Sequence, residues 1–143
     1  MATPNQLRSD SASNAAGLDM KLEAIVIPVS DVDRAKEFYG TLGWRLDADF
    51  RFDNGSRIVQ FTPPGSACSI QFGAKIIPAA SGSAHGLYLI VSDIERARDE
   101  LVARGVKVSD VFHAGTPDAR FQPDGGGGRI SGPAPDHASP VIS

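Results

Sequence analysis

Asp31 and Asp93 stand 62 positions apart, and the stretches around them read nearly alike. Val29-Ser30-Asp31-Val32-Asp33-Arg34-Ala35-Lys36 returns as Val91-Ser92-Asp93-Ile94-Glu95-Arg96-Ala97-Arg98. The register runs on without a gap to Gly43-Trp44-Arg45-Leu46 against Gly105-Val106-Lys107-Val108. A capping Asp and helical periodicity would explain the Asp and the apolar matches in any two strand–helix units, but not the repeated Arg-Ala pair. The chain is therefore read as a duplicated module, which confines the fold to architectures built from two copies of one supersecondary unit.

The first copy can be followed element by element. Residues 22–29 are mostly branched and apolar, which suits a buried strand, and Asp31 can accept hydrogen bonds from the first free amides of a helix. Ala35, Phe38, Tyr39 and Leu42 share one helical face, and Gly43 supplies the left-handed stop. Residues 45–52, 56–62 and 67–72 read as three strands, separated by Asp53-Asn54-Gly55 and Pro63-Pro64-Gly65, so the unit is βαβββ. The second copy starts the same way: strand 86–91, cap Asp93, buried helix positions Ile94, Ala97 and Leu101, stop Gly105, strand 106–112. After His113 the pattern fails. Pro117, Pro123, four glycines from Gly125 to Gly128, Gly132, Pro133 and Pro135 predict loop, with at most a short strand near Arg129-Ile130. No Lys-Ser or Lys-Thr follows the glycines, so they do not form a phosphate-binding loop. The expected organisation is a disordered tail at 1–19, a first module at 20–78, and a second, incomplete module with a Gly/Pro-rich tail at 79–143. Met20, directly before the first strand, is a candidate natural start.

Composition limits the function. Fourteen Lys plus Arg in 143 residues, a net charge of −3 and no basic stripe argue against nucleic acid as a partner. Cys68 is the sole cysteine, so no disulfide framework or paired-thiol metal motif exists, which fits a reducing cytoplasm. No apolar run approaches the roughly 18 residues of a membrane span, and no membrane partner is expected.

Tandem βαβββ units, each opening with an apolar strand, Val-Ser-Asp, an Arg-Ala helix and Gly, resemble the vicinal oxygen chelate superfamily, which holds glyoxalase I, bleomycin resistance proteins and extradiol dioxygenases. The resemblance runs from Leu22 to about His113 and is most specific at Phe38-Tyr39 and Leu42-Gly43. It implies an α+β fold in which the strands of the paired modules curl into a cup, usually around a divalent metal. By position, the first metal ligand of such a protein falls on Ala24 and its counterpart on Gly86, neither of which has a donor atom. Glu23 and His85 are their neighbours, but strand alternation turns them to the opposite face. The third position is Gln71, better suited to orienting a substrate than to binding a metal. The fourth is a Glu on the last strand of module two, and the chain ends at Val141-Ile142-Ser143 before that strand. About two strands are expected to be missing, leaving an edge for a second copy of the chain to cover.

The candidate ligand-binding residues are Gln71, Ser69, Tyr88 and Val26. Alternation puts Ser69 and Gln71 on one side of their strand, Ala24 and Val26 share a face, and the repeat makes Gly86 and Tyr88 the counterparts of that pair. Gln71 can equally face solvent, and Tyr88 can equally pack in a core. Trp44 is expected to pack on the first helix, Cys68 to be a small buried hydrophobe, and Asp31 and Asp93 to be caps. His85 and His113 lack a carboxylate at metal spacing. The preferred reading is a glyoxalase/bleomycin-resistance-like protein that binds a small organic molecule, acts without metal or other cofactor, and forms a homodimer. Alternatives are a metal-dependent lyase or dioxygenase of the same superfamily and a non-catalytic structural remnant.

Overall fold

The structure, a computed structural model, describes residues 17–115 and 129–132. Residues 1–16 of the tail expected at 1–19, and most of the Gly/Pro-rich C-terminal stretch, lie outside the described residues. The chain divides into two compact units, with the boundary between Gly82 and Ser83.

In unit one, β1 (Ala24–Val26) is followed by α1 (Val32–Thr41), β2 (Arg45–Arg51), β3 (Arg57–Thr62) and β4 (Ser69–Ala74). This is the βαβββ order read from the sequence. The strands form one mixed sheet in the order β1-β4-β3-β2, with β1 parallel to β4 and the other pairs antiparallel. The Asp31 carboxylate accepts from the Arg34 amide at 3.0 Å, so it caps α1 as expected. The helix closes at Gly43, whose φ of +76° is costly for any residue with a Cβ and whose amide donates to the Gly40 carbonyl.

Alternation then sorts the sheet into two faces. Val59, Phe61, Ile70 and Phe72 are buried on the face that α1 covers, packed against Ile25, Ile27, Val29, Val32, Ala35, Tyr39 and Trp44. Tyr39 lies at the centre, its ring 5.5 Å from Phe72, 6.0 Å from Phe61 and 5.2 Å from Trp44. Trp44 thus packs on the helix as expected. Phe38, which spacing put on the same helical face as Tyr39, is exposed and meets the Tyr39 ring edge-on at 5.1 Å.

An ion cluster ties α1 to the sheet on this same face. The buried Arg57 guanidinium donates from Nε and Nη2 to the two oxygens of Asp49, at 2.8 and 2.9 Å, and from Nη1 to Asp33 on α1 at 2.7 Å. Lys36 of α1 adds a third bond to Asp49 at 2.8 Å. These bonds hold the Asp49 carboxyl far below the usual carboxylate range and raise the guanidinium further. Gly73 of β4 has no room for a side chain beside β3. A Cβ there would fall 1.7 Å from the Arg57 carbonyl oxygen, so only glycine fits.

Unit two holds α2 (Ile94–Ala103), β5 (Phe112–Ala114) and β6 (Arg129–Ser131). Asp93 caps α2 through the Arg96 amide at 3.0 Å, and Gly105 at φ +84° ends it, so the repeat reproduces the helix with both its caps. Arg98 fixes the outgoing chain by donating to the Ser109 carbonyl at 2.8 Å and to Asp110 at 2.9 Å. β5 and β6 pair antiparallel, the Arg129 guanidinium lies 4.1 Å over the Phe112 ring, and His113 Nδ1 donates to the Gly132 carbonyl at 2.9 Å.

Two expected strands need correction. Residues 86–91 form no strand: Gly86 takes a φ of +77°, which breaks the extended run, and Leu87, Tyr88, Leu89, Ile90 and Val91 are all exposed. Of residues 106–112 only Phe112 is in a ladder, because only there does β6 supply a partner. The short strand expected near Arg129-Ile130 is that partner.

Candidate functional site

The sheet face of unit one opposite α1 carries the candidate site. Ladder register sets its residues in rows: Ala24 beside Ser69, then Val26, Gln71, Gln60 and Ala48, then Gly73, Ile58 and Phe50. Three of the four sequence-derived candidates, Ser69, Gln71 and Val26, therefore share one face. Tyr88 belongs to unit two, outside any strand and exposed, so strand alternation does not place it on this face.

Asp47 organises this face, and sequence alternation missed it. Simple alternation would put Arg45, Asp47, Asp49 and Arg51 on one side. Leu46 pairs with Phe61 but Ala48 with Gln60, so β2 carries one extra residue, a bulge at Asp47. The bulge leaves Asp49 on the helix side and turns Asp47 to the open side. Asp47 accepts there from the Thr62 hydroxyl, from Gln60 Nε2 at 3.2 Å and from Arg45 Nε at 2.6 Å. The hydroxyl bond and the Arg45 bond hold its carboxyl below the usual range, so it is an anion at neutral pH. Two branches leave this anchor. Thr62 Oγ1 is 2.7 Å from Ser69 Oγ, and Gln60 Oε1 accepts from Gln71 Nε2 at 2.7 Å.

Other features are spent on the fold. A cavity of about 280 Å³ is lined by residues that include Val32, Phe52, Ser56 and Arg57, and the Arg57 guanidinium is committed to Asp33 and Asp49. Cys68 is half-buried rather than buried, its thiol 3.6 Å from the Ser69 carbonyl. His85 is exposed, and His113 is engaged by Gly132.

Comparison with known proteins gives this face its context. Residues 24–55 match the model of the bleomycin resistance protein-like N-terminal family. No curated protein matches the chain. Among solved structures, TnmS3, an antibiotic binding protein from Streptomyces sp. CB03234, is 34% identical, with a TM-score of 0.55 over 63% of this chain and 74% of its own. The chain belongs to the glyoxalase/bleomycin resistance protein family. A second family member, a glyoxalase/bleomycin resistance protein from the same Streptomyces strain, is also 34% identical, with a TM-score of 0.54 over 62% of this chain and 77% of its own. The family therefore places the chain in the vicinal oxygen chelate superfamily.

Relatives in this superfamily usually hold a divalent metal, and the donors on the open face of unit one do not fit one. Ala24 offers no donor atom, and both oxygens of Asp47, the carboxylate of this network, are already engaged by Arg45, Thr62 and Gln60. Among the described residues no group of three or more His, Cys, Asp or Glu side chains could hold a metal ion. Hydroxyl and amide groups beside apolar Val26, Ile58 and Phe50 are equipped instead to hydrogen-bond an organic molecule and cover its apolar part.

Proposed function

We propose that this member of the glyoxalase/bleomycin resistance family binds a small organic molecule on the open sheet face of unit one and does so without a metal. The observation that carries the reading is the Asp47 network: a polar group of five side chains, fixed by mutual hydrogen bonds, on a face otherwise lined by Val26, Ala48, Ile58 and Phe50. A solvent-facing strand surface has no need of such internal fixing, whereas a binding face gains affinity from groups that need not be ordered on contact. The antibiotic binding by TnmS3 makes antibiotic-like organic molecules the first class to test. Its effect here would be sequestration, which requires affinity and no bond-breaking step.

The test is isothermal titration of the purified protein with bleomycin and a panel of aromatic natural-product antibiotics, with and without a chelator. At least one compound should bind with near-unit stoichiometry, unaffected by chelator, and Gln71→Ala should weaken it several-fold, a loss of about 1 kcal/mol or more. Binding that chelator abolishes would overturn the metal-free reading, and binding indifferent to Gln71 would place the ligand elsewhere.

The same reading includes a second copy of the chain. Residues 87–91 expose five large apolar side chains in a row, Ile90 completely. Such a run is an association surface in a protein that stays in solution. A homodimer is expected, and light scattering coupled to gel filtration measures it directly. A monomer at micromolar concentration would remove this part of the proposal.

A further inference from the structure

We infer that the Asp47 network gives the open face a fixed hydrogen-bond polarity, so that it selects ligands that bring a hydroxyl or N–H donor to Gln71. The inference rests on the proposed binding face and specifies its ligand chemistry. An ionised carboxylate can only accept hydrogen bonds. Gln60, held at 3.2 Å from Asp47, must therefore turn its amide nitrogen to the carboxylate and its oxygen away from it. That oxygen can only accept, so Gln71 must present its nitrogen to Gln60, across 2.7 Å. The orientation of Gln71 is thereby decided two residues away. With Nε2 committed to Gln60, the end of the Gln71 amide left for a ligand is Oε1, which can only accept.

The second branch runs the same way. Thr62 has one hydroxyl proton and gives it to Asp47, so the 2.7 Å contact with Ser69 is made by the Ser69 proton. Ser69 Oγ is left as an acceptor too. Arg45 neutralises the far side of Asp47, which keeps the anchor ionised over the neutral range and the polarity constant. A ligand lacking a donor would cover the Gln71 carbonyl without satisfying it, and a covered, unpaired carbonyl costs more than a hydrogen bond returns. The network thus acts on specificity through Asp47 and Gln60, which are positioning residues, while Gln71 makes the contact.

Phenol and anisole form a matched pair of probes, alike in shape and differing in the O–H donor. Each is titrated at millimolar concentration into nitrogen-15-labelled full-length protein, and the side-chain amide signals of Gln60 and Gln71 and the backbone amides of Val26 and Ile58 are followed. Phenol should shift the Gln71 side-chain signals and bind at least tenfold more tightly than anisole. In Asp47→Asn, whose amide can donate or accept, the ratio should fall below about threefold. Gln60→Met, which cuts the branch without touching Asp47, should lower the ratio in the same way and covers the case of a poorly folded Asp47→Asn. Equal binding of the two probes to the wild type, tighter binding of anisole, or a ratio unchanged in both variants would overturn the polarity and leave the binding face standing. Absence of any shift at Val26, Ile58 and Gln71 with either probe would overturn the binding face and the inference with it.

Discussion

Asp49→Ala should be among the most damaging single substitutions in unit one. Arg57 is almost wholly buried, its side chain 8% exposed, and two of its three ionic hydrogen bonds end on Asp49, whose side chain is 20% exposed. Asp33 keeps the third bond but is 78% exposed and cannot desolvate with the guanidinium. Removing the carboxylate from a buried pair costs about 3–5 kcal/mol, because the remaining charge is left without compensation. The surviving Asp33 bond and the access of water past Asp49 put the loss at the lower end, about 3 kcal/mol, which for a unit of this size is a fall of order 10–20 °C in Tm. Urea unfolding monitored by far-ultraviolet circular dichroism measures it. Asp33→Ala should cost far less. The double variant Asp49→Ala/Arg57→Leu should recover much of the loss, since an apolar side chain needs no partner there. If Asp49→Ala is no worse than Asp33→Ala, or the double variant is less stable than Asp49→Ala alone, the buried-charge reasoning is refuted.

Three further outcomes are expected. The Asp49 and Asp47 carboxyls are both held below their unfolded value near 3.9, so their stabilisation is complete above that pH and is lost as pH falls toward the folded values; acid unfolding should therefore begin below about pH 4, with a shallower acid limb in Asp49→Ala. Gly73→Ala should cost about 2–3 kcal/mol or prevent folding, because the new Cβ has no room beside the Arg57 carbonyl, and thermal unfolding reads this directly. Gly105→Ala has open space around it and meets only the penalty of a positive φ, so a loss of about 1–2 kcal/mol is expected in the same assay.

The legible part of the fold was the part written in local chemistry. Asp31 and Asp93 cap their helices, Gly43 and Gly105 end them, and the turns at Asn54-Gly55 and Pro64-Gly65 fall where their φ-tolerant residues stand. The strand at 86–91 failed because a strand needs a ladder, and local β propensity says nothing about whether one exists. On the candidate face, alternation put Ser69 and Gln71 on one side of β4, and the parallel pairing with β1 sets Val26 beside Gln71. Asp47 was hidden by a one-residue bulge that reverses facing partway along β2, for which Arg45-Leu46-Asp47-Ala48-Asp49 carries no Gly or Pro signal. Gln60 and Thr62 were read as ordinary strand residues, since nothing in their own segment shows that a carboxylate from the neighbouring strand meets them. The same register reversal concealed the cluster of Arg57, Asp49 and Asp33, which joins residues from two strands and a helix.

The central claim is that the face carrying Val26, Ser69 and Gln71 is where a small organic molecule binds. Isotope-filtered nuclear Overhauser measurements on the labelled protein, saturated with whichever compound of the antibiotic panel binds most tightly, test it at the level of single atoms. Contacts are expected from the ligand to the Val26 methyls, the Ile58 methyls and the Gln71 amide protons. Contacts confined to residues of the α1 side, such as Val32 or Tyr39, or to residues of unit two would contradict it.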